Sequence, residues 1–79
     1  MILNHKIFAD FHNADSSGRI RLTTAGTLED IKRLNIELQN GLQVILNDHE
    51  EFETVGIIEY SENENIWVAK IDWNKITHF

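Results

Sequence analysis

Residues 54–73 read Thr-Val-Gly-Ile-Ile-Glu-Tyr, then Ser-Glu-Asn-Glu-Asn, then Ile-Trp-Val-Ala-Lys-Ile-Asp-Trp. Two runs rich in β-branched and aromatic residues flank a loop, residues 61–65, that contains no apolar residue. That is the pattern of a β-hairpin. In the second run Trp67, Ala69, Ile71 and Trp73 alternate onto one side, as the period of a strand requires. The two tryptophans would stand about 20 Å apart along it and are expected to close the two ends of a small core. Gly56 in the first run predicts a bulge, or a place where a bulky neighbour packs over bare backbone.

Upstream, residues 6–12 alternate with Ile7, Ala9 and Phe11 on one side, and residues 19–24 alternate with Ile20 and Leu22 inward. The connection Asn13-Ala14-Asp15-Ser16-Ser17-Gly18 is dense in turn formers, so these two strands are expected to form a first hairpin. Thr27-Leu28-Glu29-Asp30 reads as a helix start, with Thr27 as cap and the carboxylates near the positive end of the dipole. Leu28, Ile31 and Leu34 form one apolar stripe, and Asn35 is the expected stop. Residues 36–41 alternate briefly and break at Asn40-Gly41, and residues 42–46 form another strand with Leu42, Val44 and Leu46 inward. Together these elements predict a single domain over residues 1–79, mainly β with one short helix (α+β). The expected architecture is a small five-stranded antiparallel barrel, SH3-like before OB-like, or a strongly curled sheet with the helix on one face.

The chain of 79 residues has an ordinary apolar fraction, 42%, which argues against disorder. It contains no cysteine, so neither a disulfide framework nor a thiolate metal site is available. The start, Met1-Ile2-Leu3-Asn4-His5-Lys6, lacks the charged-then-apolar order of a signal peptide, and no apolar run reaches membrane-spanning length. A cytoplasmic location without membrane association is expected. Net charge is −6, unevenly distributed: residues 34–69 hold no Lys or Arg and eight carboxylates, Glu37, Asp48, Glu50, Glu51, Glu53, Glu59, Glu62 and Glu64. Such a chain repels nucleic acid at long range and attracts cationic partners.

Few groupings carry chemistry. Asn13-x-Asp15-x-Ser17-Gly18-x-Ile20 imitates a calcium loop, but position twelve is Thr24 where a bidentate glutamate is needed, and the flanks alternate as strands do. A hairpin turn is the better reading. Asp48, His49, Glu50 and Glu51 concentrate oxygen and imidazole ligands without the spacing of a dedicated metal site, and a solvated acidic loop accounts for them equally well. His5, His12, His49 and His78 are scattered, and no nucleophile elbow, HExxH or phosphate-cradling glycine loop occurs. Neither enzyme activity nor a cofactor is expected.

Several stretches together resemble a family of small, uncharacterised bacterial proteins. They are His12-Asn13-Ala14-Asp15, the run from Gly18 through Thr23-Thr24-Ala25-Gly26 to Asp30, Gly41-Leu42, and Trp67-Val68-Ala69-Lys70-Ile71-Asp72-Trp73. The resemblance implies a whole free-standing domain and brings no activity or site residue with it. The expected function is a small protein-interaction module whose partner is an unidentified protein or a second copy. Its acidic contact residues would be Glu51, Glu53, Glu59, Glu62 and Glu64. The alternative is a single-stranded nucleic-acid binder using Arg19, Arg21, Lys32 and Arg33, with Tyr60, Trp67 or Trp73 as stacking platforms.

Overall fold

The computed structural model describes residues 5–78; the start read above as no signal peptide lies outside them at positions 1–4. In chain order the elements are β1 (Lys6–Phe8), β2 (Ile20–Arg21), α1 (Ala25–Arg33), β3 (Gln43–Asn47), β4 (Phe52–Ser61), β5 (Ile66–Ile71) and β6 (Thr77–His78). They form one mainly β domain, a strongly curled half-barrel with strand order β1-β3-β4-β5-β2 and β6 beside the start of β4. The hairpin read from residues 54–73 is present: β4 and β5 are antiparallel, with Ile58 opposite Ala69 and Tyr60 opposite Trp67. β3 pairs with β4 on its other side through a tight turn at residues 48–51. No helix among the described residues is long and apolar enough to cross a membrane.

The first expected hairpin is not formed as a pair of sheet strands. β1 runs parallel to β3, and β2 runs antiparallel to β5 at the opposite edge. The chain leaves β1 because the carboxylate of Asp10 takes the amide of His12 at 2.9 Å and its carbonyl takes the amide of Asn13 at 3.0 Å. A small local hairpin then closes around Gly18, joined by Asp15 N–H to Arg19 C=O (2.8 Å) and Arg21 N–H to Asn13 C=O (2.9 Å). The inward alternation of Ile7, Ala9 and Phe11 survives this bend, since all three are buried. The sheet is therefore mixed.

The helix begins at Ala25, and its expected cap has a different task. Thr27 is fully buried and donates its hydroxyl to the Phe8 carbonyl at 2.7 Å, while the Asp30 carboxylate accepts the Phe8 amide at 2.7 Å. Both backbone groups of Phe8 that face away from β3 are satisfied by helix side chains, so α1 seals the open edge of β1. These two bonds fix the roll of the helix. Thr27, Ile31 and Leu34 face the protein, and Leu28, expected on the apolar stripe, is 52% exposed. Asn35 ends the helix as expected, with φ of 53°. Residues 36–41 form no strand. Instead the Asn40 side chain accepts the Tyr60 amide at 2.8 Å, and the Gly41 amide reaches the Ile58 carbonyl at 2.8 Å. The concave side is filled by Ile7, Phe11, Ile20, Leu46, Ile58 and Ala69 among others.

Candidate functional site

β5 stops at Ile71, two residues short of expectation, because the chain turns at Asp72. The Asp72 carboxylate takes the Asn74 amide and its carbonyl takes the Lys75 amide, both at 2.9 Å. Trp73 is consequently carried off the sheet. It is 47% exposed and is not the core residue that the alternation predicted. Its indole is nevertheless held in place, with Nε1–H donating to the Gly18 carbonyl at 2.8 Å. Gly18 lies at φ 81°, and a Cβ there would stand 3.1 Å from that nitrogen. Glycine is thus required both for the turn and for the approach of the ring.

Beyond the turn, β6 returns along the start of β4, placing His78 opposite Phe52. Phe11, Phe52, Trp73 and Ile76, with the imidazoles of His12 and His78, line a pocket of about 340 Å³. Phe52 sits at its centre, 5.7 Å from the Phe11 ring and 4.9 Å edge-on from His78. Among the described residues no Lys, Arg or carboxylate lines it. At the rim His12 Nδ1 lies 3.5 Å from the Asp10 carboxylate. Apart from the two imidazoles the lining is ring and aliphatic carbon, suited to receive an apolar or aromatic group. Among the described residues no three His, Asp or Glu side chains are placed to hold a metal ion.

The residues singled out from the sequence lie elsewhere. Asp48 Oδ1 accepts the amides of Glu50, Glu51 and Phe52 at 2.8–3.0 Å, so it builds the β3–β4 turn. Burial opposes ionisation of Asp48, but those amides outweigh it and hold the carboxyl below the usual range. His49 stacks on Phe8 at 5.6 Å, and Glu50 and Glu51 point to solvent. Asp15, in the loop that imitates a calcium site, is committed internally to the amides of Ser17 and Arg19 and to the Arg19 guanidinium.

The acidic residues do not form one face. Glu51 and Glu53 lie at the start of β4, and Glu59, Glu62 and Glu64 lie at or beyond its far end. Glu53 is paired with Lys6 at 3.0 Å, and Lys6 and Asn47 hold its carboxyl below the usual range. Glu59 takes Arg19 at 3.2 Å, and Glu64 takes Arg21 through both oxygens at 2.8 Å. Glu62 is exposed in the β4–β5 turn. The basic residues are divided as well. Arg19 and Arg21 belong to the β2 edge, whereas Lys32 and Arg33 end the helix that seals β1 at the other edge, where Arg33 binds Asp30 at 3.0 Å.

The chain matches no protein-family model, no curated protein and no solved structure. The pocket residues come from three separated stretches, near residues 11, 52 and 76. A signal for them was present in the Asp-Trp-Asn-Lys sequence at 72–75, which is turn-like and ill-suited to extending a strand.

Proposed function

We propose that this chain is a protein-interaction domain that binds a partner segment by seating one apolar or aromatic side chain against Trp73 in the pocket of Phe11, Phe52 and Ile76. One observation carries this reading: a half-exposed tryptophan whose ring orientation is fixed by a hydrogen bond to Gly18. Tryptophans are over-represented among the residues that dominate binding energy, and a side chain ordered in advance loses less entropy on docking. The net charge of −6 favours a segment with basic flanks. The carboxylates of Glu50, Glu51 and Glu62, unpaired among the described residues, would steer it, whereas Glu53, Glu59 and Glu64 serve the fold. A single-strand nucleic-acid platform has less support, because stacking rings need cations beside them and this pocket's lining holds none.

Selection of a displayed random-peptide library on the wild-type chain tests the proposal. Enriched peptides should share an aromatic or large aliphatic residue and should lose binding to Trp73→Ala. Trp73→Ala should itself remain folded by circular dichroism. No enrichment, or enriched peptides that bind both proteins equally, would overturn the reading.

A further inference from the structure

The side of the sheet that faces away from the core does not follow the usual apolar-in, polar-out alternation. Cross-strand register assembles its rows. Lys6, Ile45 and Val55 lie side by side, then Gln43, Ile57 and Lys70, then Glu59, Val68 and Arg21. Ile45, Val55 and Ile57 therefore make an apolar stripe across β3 and β4, of which Val55 and Ile57 are exposed and Ile45 half-buried, while Val68 on the same side of β5 is fully buried. Val55 is 44% and Ile57 36% exposed, in the longest strand of the sheet.

The charges around the stripe indicate what covers it. Around the stripe stand Lys6, Arg21 and Lys70 against Glu53, Glu59 and Asp72, so the charges cancel on a chain of net −6. This face lacks the acidic excess of the whole chain. A strongly basic partner would be drawn to the acidic surfaces, and a second acidic copy meets little repulsion here. A two-fold interface brings the same patch against itself, so an apolar centre rimmed by both signs is self-complementary where a single-sign patch is not. Lys6, Arg21, Glu53 and Glu59 already have partners within the chain. Lys70 has no carboxylate within 4.0 Å among the described residues, and so its ammonium is open to one from a second copy.

We infer that this face pairs with a second copy of the chain, in a reversible dimer centred on Val55 and Ile57. The contact is independent of the Trp73 pocket. Four strands at about 4.8 Å spacing, over about 27 Å of strand, give roughly 500 Å² per copy before curvature reduces it. Curvature brings the total below the roughly 1,000 Å² of stable specific interfaces, in the range of weak, transient contacts, so association should be concentration-dependent.

Sedimentation velocity and equilibrium up to about 1 mM chain is the test, since interfaces of this size bind weakly. The wild type should shift from monomer to dimer with concentration. Ile57→Thr and Val55→Thr keep β-branched side chains and hence the strand, and each should weaken dimerisation about tenfold, the loss expected on truncating a central contact. Lys70→Glu should weaken it as well, and Trp73→Ala should leave it unchanged. A wild type that stays monomeric at the highest concentration overturns the proposal. So does a dimer that Ile57→Thr and Val55→Thr leave intact while their melting curves show native fold.

Discussion

Replacing Gly56 by alanine tests how closely the concave side is packed. Gly56 lies in β4 between Val44 of β3 and Ile71 of β5, and its φ is outside the left-handed region. Alanine is therefore conformationally allowed. On backbone entropy alone it should stabilise the fold by about 0.4–1 kcal/mol. Packing opposes this. A Cβ at position 56 would stand 3.0 Å from Leu46 Cδ1, 3.3 Å from Leu46 Cγ and 3.2 Å from Ala69 Cβ. The Ala69 methyl is fixed to the neighbouring strand and cannot rotate away, and Leu46 is fully buried and can yield only by leaving its well. Overfilling a packed core costs about 1–3 kcal/mol, so the packing effect wins, and Gly56→Ala should destabilise by about 1–2 kcal/mol net. At about 4–8 °C per kcal/mol for a domain of this size, the melting temperature falls by roughly 5–15 °C. Urea unfolding should show a lower midpoint with an unchanged slope. The cause is separated from general strand disruption by the Ala69→Gly background, which removes one of the two obstacles. There Gly56→Ala should cost less, with a coupling of about 0.5–1 kcal/mol. A Gly56→Ala protein as stable as wild type, or a cost that Ala69→Gly leaves unaltered, refutes the packing argument.

Thr27→Val keeps the shape of a fully buried side chain but removes the hydroxyl that bonds the Phe8 carbonyl at 2.7 Å and the Thr24 hydroxyl at 2.6 Å. Thermal unfolding should report a loss of about 1–3 kcal/mol, the cost of leaving a buried carbonyl unsatisfied. Asn35→Gly, at φ 53°, should stabilise by up to about 1 kcal/mol in urea titration, and Asn35→Ala should destabilise by about as much. For Asp15 and Asp30, burial opposes ionisation but is outweighed. The amides of Arg19 and Ser17 hold the first carboxyl below the usual range, and the Phe8 amide with Arg33 holds the second. Their folded values lie below the unfolded one near 3.9, so the stability they contribute is present above about pH 4 and lost as pH falls through the folded values. Urea midpoints should be level from about pH 7 to 5 and decline below about pH 4. Asp30→Asn should lower the plateau and flatten that decline, and an acid limb unchanged by this substitution would refute the assignment.

What the sequence revealed and what it concealed divide by the range of the interactions. The β4–β5 hairpin, the Asn35 stop and the crowding at Gly56 are set by neighbours in the chain or by directly adjacent strands, and alternation and turn chemistry disclose them. The pairing of β1 with β3 is different. It depends on Asp30 and Thr27 reaching about twenty residues back to the Phe8 backbone, a bond between segments whose local patterns carry no trace of each other. The same bonds turned Leu28 outward, against a stripe that by spacing alone fits as well as Thr27, Ile31 and Leu34. Charge behaved in the same way. Glu53, Glu59 and Glu64 read as a free acidic surface because their partners Lys6, Arg19 and Arg21 lie forty or more residues away in sequence. At Trp73 the cues conflicted: period-two spacing from Trp67 favoured the core, and the Asp72 turn favoured the surface. The turn prevailed because Asp72 secures two amides locally, whereas continuing the strand would have left the indole N–H without the Gly18 carbonyl that now binds it. A tryptophan given a buried residue's hydrogen bond at an exposed position is what places the candidate site at this end of the half-barrel.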